Sequence, residues 1–281
     1  MRILITGAGG MLGLDVLRAA PRTGHEALGL TRAQLDITDA AATAAAVRDA
    51  APDAVINCAA WTNVDGAESD AEAASAVNGK GAGNVAAAAT AAGAWVLQVS
   101  TDYVFDGSKP SPYAESDPVG PVSAYGRSKL EGERAVAAAA PETHTIVRTA
   151  WLFGAGGKCF PKTILRAAAQ RPELTVVADQ VGCPTFTAHL APALTELAAQ
   201  RVPGILHVVG GGQCSWYEFA AAILVAAGVD CPVRPISTAE YPVPARRPAN
   251  SVLVSERGAP TLPSWREGLA AFMSEPAEVG A

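Results

Sequence analysis

The sequence predicts an α/β protein: a Rossmann-type doubly wound parallel sheet with a smaller C-terminal substrate-binding domain. Three observations carry this. Short apolar runs alternate with Ala-rich helical segments through the first half of the chain, the pattern of βαβ units. A glycine-rich turn, Gly7 to Gly13, follows the first apolar run directly. Small or polar residues then follow the third and fourth runs, where ligands of such sheets gather.

The elements follow in order. Residues 2–6 read as a buried strand, and the Gly7–Gly13 turn leads into a helix from Leu14 to Ala20 that Pro21 and Gly24 close. Residues 26–31 make a second strand and 40–51 a second helix. Asp53–Ala60 is a third strand with a small-residue exit. One long Ala-rich helix is expected over 70–92, then a strand over 94–100. Gly, Pro and Ser make 106–123 a loop. A helix from Tyr125 to Ala139 and a strand over 145–148 complete the alternation. Beyond 150 the pattern predicts helices near 161–171, 188–200 and 216–227, a strand over 205–209, and a Pro-rich stretch over 232–248. The expected division is a dinucleotide-binding domain over 1–150, completed by short later segments, and a mainly substrate-binding domain over 151–281.

Composition narrows the function. Of 281 residues, 49% are hydrophobic and 17% charged, which suits a compact globular protein. A net charge of −6 leaves no footprint for nucleic acid, and no basic run suits an anionic membrane. The Ala-rich stretches are too short to span a bilayer. Residues 1–6 run straight into the glycine turn, which leaves no room for a signal peptide. The five cysteines (58, 159, 183, 214, 231) form no Cys-x-x-Cys. That predicts reduced thiols and a cytoplasmic protein.

Gly7-x-x-Gly10-x-x-Gly13 between strand and helix suits a dinucleotide pyrophosphate, with helix-start amides at Met11, Leu12 and Gly13 facing the phosphates. The second strand ends at Arg32 with no acid at its tip. That leans toward NADPH over NADH, because an Arg accommodates a 2′-phosphate. Asp36 and Ile37 lie further on, toward the adenine. Cys58, Ala59 and Ala60 line the exit of the third strand. Thr101 follows the fourth strand, where a hydroxyl can polarise a carbonyl. Tyr125 and Lys129 are four residues apart, on one face of a helix. A neighbouring ammonium lowers a phenol's pKa, so the pair is expected to act as an acid/base device.

These motifs together resemble the extended short-chain dehydrogenase/reductase superfamily. The match narrows to the dTDP-4-dehydrorhamnose reductase family through Pro52–Ala60, Val64–Glu68, Ser100–Gly107, Tyr125–Lys129, Arg148–Trp151, Asp179–Thr185, Cys214–Phe219 and Arg246–Ser251. The resemblance implies NADPH-dependent reduction of the 4-keto group of a dTDP-4-keto-6-deoxyhexose. It makes Tyr125 the proton donor, Lys129 its pKa-lowering partner and ribose ligand, and Thr101 the holder of the carbonyl oxygen. Asn78 would steady the site. Val64, Asp102, Tyr103 and Trp151 would line the sugar, and Arg246 or Arg247 would neutralise the diphosphate. Related dehydratases place a Glu where Tyr103 stands, and epimerases retain NAD. Two further readings stay open: a deoxysugar ketoreductase of an antibiotic pathway, and a regulatory subunit like that of methionine adenosyltransferase. Some family members dimerise through acidic Mg²⁺ ligands. No such ligands map onto this sequence, where the acidic run 275–278 reads as a solvated tail, so a homodimer and Mg²⁺ stay open and no metal ligand is assigned.

Overall fold

The structure, a computed structural model, describes residues 1–275. The acidic run at 275–278 lies outside the described residues from 276 onward. The chain begins β1 (Arg2–Thr6), α1 (Met11–Arg22), β2 (Glu26–Leu30), α2 (Ala40–Ala50) and β3 (Ala54–Asn57). Helix α1 starts three residues earlier than expected, so the last glycine of the turn is already helical. It also runs through Pro21, whose ring is accommodated in the final turn.

A short helix, α3 (Gly66–Ser69), precedes the helix expected over 70–92, which runs as α4 (Ala71–Ser75), a π-helical turn over Ala76–Gly81, and α5 (Ala82–Ala91). Asp70 starts it by accepting from the Ala73 amide with its own carboxylate. The π-turn is the kind of local widening that recurs at functional sites, and it carries Asn78.

Next come β4 (Trp95–Thr101), α6 (Ala124–Ala139) and β5 (His144–Thr149). The chain leaves the sheet through β6 (Leu152–Phe153), α7 (Phe160–Ala168), β7 (Leu174–Val177), β8 (Val181–Gly182) and β9 (Thr185–Phe186). It returns through α8 (Thr187–Gln200) and β10 (Gly204–His207). The remainder is β11 (Cys214–Ser215), α9 (Trp216–Ala227), β12 (Val233–Ile236) and α10 (Trp265–Ser274). Two-residue strands such as β6, β8, β9 and β11 carry too little pattern for a sequence reading to find them.

The main sheet has six parallel strands in the order β10-β5-β4-β3-β1-β2. Side chains alternate across it. Ile3 and Ile5 pack with Val16 of α1 and Leu190 and Leu194 of α8 on one face. Leu4 and Val55 pack with Val47, Val85 and Val136 on the other. A second apolar cluster holds the later elements together around Phe153, Phe186, Phe219 and Trp265. Among the described residues no helix is long and apolar enough to cross a membrane. All five cysteines are free thiols.

A buried polar clamp fixes α6 on the sheet. Arg148 of β5 forks onto Glu133 of α6, with Nε–Oε1 at 2.8 Å and Nη2–Oε2 at 2.7 Å. The two side chains are 3% and 4% exposed. Ser100 of β4 donates to the same carboxylate at 2.6 Å. One turn before Glu133, Lys129 donates to the Val99 carbonyl at 2.7 Å. Breaking such a pair from one side strands a buried charge. Glu133→Ala is therefore expected to lower unfolding stability by about 3–5 kcal/mol in a urea titration, with Glu133→Ala/Arg148→Met recovering part of it. An unchanged midpoint in Glu133→Ala would contradict the clamp.

Candidate active site

The carboxyl ends of β1, β3 and β4 open onto one crevice. Gly7 has φ +67°, and a side chain there would strike the Ala59 backbone at 2.6 Å, so the β1 and β3 exits touch. A side chain at Gly13 would strike the Gly7 carbonyl, so α1 can begin only against bare backbone. Gly10 caps α1 without a side-chain bond to its first turn. The first-turn amides thus stand open at an exposed glycine loop, a cradle that fits a dinucleotide pyrophosphate. Leu12 is buried in the sheet core and Met11 packs against the later cluster, so these two can serve a phosphate only through their amides.

Arg32 is exposed at the tip of β2, as the sequence places it. Asp36 turns back onto its own loop, accepting from the Thr38 amide at 3.0 Å and hydroxyl at 2.8 Å. Those bonds hold its carboxyl below the usual range. Ile37 is a correction: it is 3% exposed and packs in the core, so its side chain is not free for an adenine. Cys58, Ala59 and Ala60 are half-buried at the β3 exit. Beneath the crevice runs a polar chain that the sequence reading missed. Thr6 donates to Asn57, Asn57 to Gln98 at 2.7 Å, and Gln98 to the Val99 carbonyl at 2.8 Å. That carbonyl is also the acceptor of Lys129.

Thr101 ends β4 and caps the next turn. Its Oγ accepts from the Tyr103 amide at 3.2 Å and donates to Asp102 Oδ1 at 2.9 Å. Tyr125 sits in the first turn of α6, which Ser123 caps by accepting from the Gly126 amide at 3.1 Å. The Tyr103 ring meets its ring edge-on at 5.7 Å, and the Thr101 hydroxyl acts on its phenol. The expected effect of Lys129 on Tyr125 is corrected. Burial pushes the phenol above its ordinary value, the Thr101 hydroxyl pulls it back, and the Asp102 charge pushes it up again. Lys129 is itself desolvated, and its ammonium falls to about 8 despite the nearby Glu133.

Asn78 is no surface residue. It is 2% exposed. Its Nδ2 donates to the Trp61 carbonyl at 3.0 Å and to Ser128 Oγ at 2.9 Å, and its Oδ1 accepts from the Trp61 amide at 2.8 Å. It therefore ties the loop after β3 to the helix that carries Tyr125.

On the opposite side, Val64 and Tyr103 are half-buried. Asp102 departs from expectation: at 1% exposure it stands behind Thr101 rather than open to a sugar. Trp151 is held in the left-handed region at φ +46°, a strained conformation for a bulky residue. It stacks on Trp216 with centroids 3.4 Å apart and planes at 4°, and any side chain at Gly182 would collide with its ring. Arg247 is engaged elsewhere than expected, forking onto Asp65 at 3.1 and 2.9 Å. Arg246 is exposed and lines a recess of about 230 Å³ with Gln180, Thr238 and Tyr241. Asp65 and Trp216 fall within the family motifs but were given no site role, and Glu133 was not named, although it lies four residues beyond Lys129 on the same helix face. Among the described residues, no group of three or more His, Cys, Asp or Glu side chains is placed to hold a metal ion.

This geometry has close counterparts. Residues 1–277 match the family model described as the RmlD substrate binding domain. A dTDP-4-dehydrorhamnose reductase of Sinorhizobium fredii is 45% identical over 95% of each chain. The chain belongs to the dTDP-4-dehydrorhamnose reductase family. Two solved members superpose on it with a TM-score of 0.93. The one from Clostridium acetobutylicum is 42% identical and covers 97% of this chain and 98% of its own. The one from Bacillus anthracis, in complex with NADP, is 38% identical and covers 96% and 98%.

The Asn78 tie gives a local prediction. Asn78→Ala leaves Trp61 and Ser128 groups without partners, an expected cost of about 1–3 kcal/mol. Hydrogen exchange at the Trp61 amide should accelerate. Exchange as slow as in the unaltered protein would contradict the tie.

Proposed function

We propose that the protein is an NADPH-dependent reductase that converts dTDP-4-dehydro-L-rhamnose to dTDP-L-rhamnose. The observation that carries this reading is Tyr125 in the first turn of α6, its ring edge-on to Tyr103 where Thr101 ends β4, in a chain whose relatives bear that enzyme's name. The glycine cradle and exposed Arg32 suit NADP, which the Bacillus anthracis relative binds. When bound, the cofactor supplies hydride to the 4-keto carbon.

The protein's own side chains handle the oxygen. Burial keeps the Tyr125 phenol protonated, which is the state a reduction needs, because the developing alkoxide is the stronger base. Thr101 holds the same oxygen from the strand side. Lys129, anchored to Val99 with donors to spare, takes the ribose hydroxyls. Tyr103, Val64 and Trp151 bound the sugar, and the rigid Trp151–Trp216 stack gives it a flat wall. Arg246 meets the diphosphate. Arg247, already paired with Asp65, shapes that side of the cleft. Tyr103 supplies a phenol where a dehydratase needs a second carboxylate, and that favours the reductase.

Incubation with dTDP-4-dehydro-L-rhamnose should consume NADPH absorbance faster than NADH absorbance. Tyr125→Phe should slow turnover by about 10²–10⁴-fold while NADP⁺ affinity is kept. No NADPH loss in the unaltered protein, or near-full turnover in Tyr125→Phe, would contradict the assignment.

A further inference from the structure

A hydroxyl has one proton to give. Thr101 gives its proton to Asp102 Oδ1 at 2.9 Å. Its oxygen meanwhile accepts from the Tyr103 amide at 3.2 Å. In that arrangement Thr101 has no proton left for a keto oxygen, although the proposed reaction needs one there.

The surroundings of Asp102 resolve the conflict. The residue is 1% exposed, and its Oδ2 has no hydrogen-bond partner. An ionised carboxylate left this way in the interior is costly. Thr101 is its side-chain donor, and the Ser251 hydroxyl donates to the Val181 carbonyl at 3.5 Å. Lys129 and Arg247 are engaged elsewhere, on the Val99 carbonyl and on Asp65. The titratable groups that face it are the phenols of Tyr103 and Tyr125 and the Cys183 thiol. Burial holds all three in their neutral forms. Burial also pushes the Asp102 carboxyl up to about 6.

We propose that Asp102 works as a neutral carboxylic acid during turnover, and that its protonation turns the Thr101 hydroxyl away from Asp102 and toward the substrate's carbonyl oxygen. With the proton on Asp102, its O–H donates to Thr101 Oγ, which still accepts from the Tyr103 amide. The Thr101 proton and the Tyr125 phenol then converge on one oxygen. Asp102 is a positioning residue that acts through Thr101, and no bond to it forms or breaks beyond its own O–H. The sign follows from the active form being the protonated one: activity falls as pH rises through the carboxyl's titration.

This inference rests on the reductase reading, so the test separates the two. In Asp102→Asn the amide N–H₂ donates to Thr101 permanently. The expected result is a wild-type kcat that falls about tenfold per pH unit above the Asp102 titration, and an Asp102→Asn kcat without that fall. The ratio of variant to wild type should then rise about tenfold per unit. A ratio that is flat with pH, or a variant inactive throughout, overturns the proposal. The second measurement needs no substrate: ¹³C NMR of the Asp102 carboxyl carbon, assigned by its absence in Asp102→Asn. A midpoint at about 6 or above is expected, and one near the ordinary value of about 3.9 overturns the proposal. A wild-type protein that fails to reduce the sugar would count against the reductase reading alone, because the NMR midpoint is read without turnover.

Discussion

Glu133 carries a charge into the interior, and Arg148 and Ser100 are there to meet it. A buried ion pair adds little net stability, since desolvation offsets attraction, but it demands one geometry. Here that geometry joins three elements, β4, β5 and α6. One turn back, Lys129 makes a second bond to β4. Two anchors four residues apart fix both the height and the rotation of α6. Tyr125, four residues before Lys129, can then arrive only beside Thr101. The chemistry at the crevice depends on a clamp that touches no ligand.

The same strand ends carry the proposed cofactor side. The Thr6–Asn57–Gln98 chain crosses β1, β3 and β4 and meets Lys129 at the Val99 carbonyl. The glycine cradle and the catalytic helix are therefore referenced to one point. Asn78 adds a link from the π-turn to α6 through Ser128. The proposed sugar side is held differently. Its wall is apolar and strained, with Trp151 forced into a left-handed backbone and packed between Trp216 and Gly182.

Much of this was legible in the sequence, for physical reasons. The glycine turn, the alternating strands and the Tyr125/Lys129 spacing are local patterns, and local patterns survive in one dimension. The six strands and the convergence of the Gly7, Ala59 and Thr101 exits follow from them. What was hidden depends on partners far away in the chain. The Arg247–Asp65 pair spans 182 positions, so the sequence offered Arg247 to a diphosphate instead. Ile37 looked like a loop residue because nothing local shows Gly81 packing over it. Lys129 was expected to lower the Tyr125 pKa because spacing reveals proximity. Spacing does not reveal that burial raises the phenol or that the ammonium bonds to a carbonyl. The π-turn inside the 70–92 helix was hidden by its alanines, which favour helix everywhere and mark no change of winding.

The central claim is that this crevice delivers hydride to one carbon and a proton from Tyr125 to the oxygen on it. Deuterium tracing tests it most directly. NADPH deuterated at the transferring position of its nicotinamide is incubated with dTDP-4-dehydro-L-rhamnose, and the product is read by NMR. The account predicts one deuteron, at C4 of the sugar, with an equivalent of NADP⁺ formed. Deuterium at C5 or C6, or a product without deuterium, would contradict it.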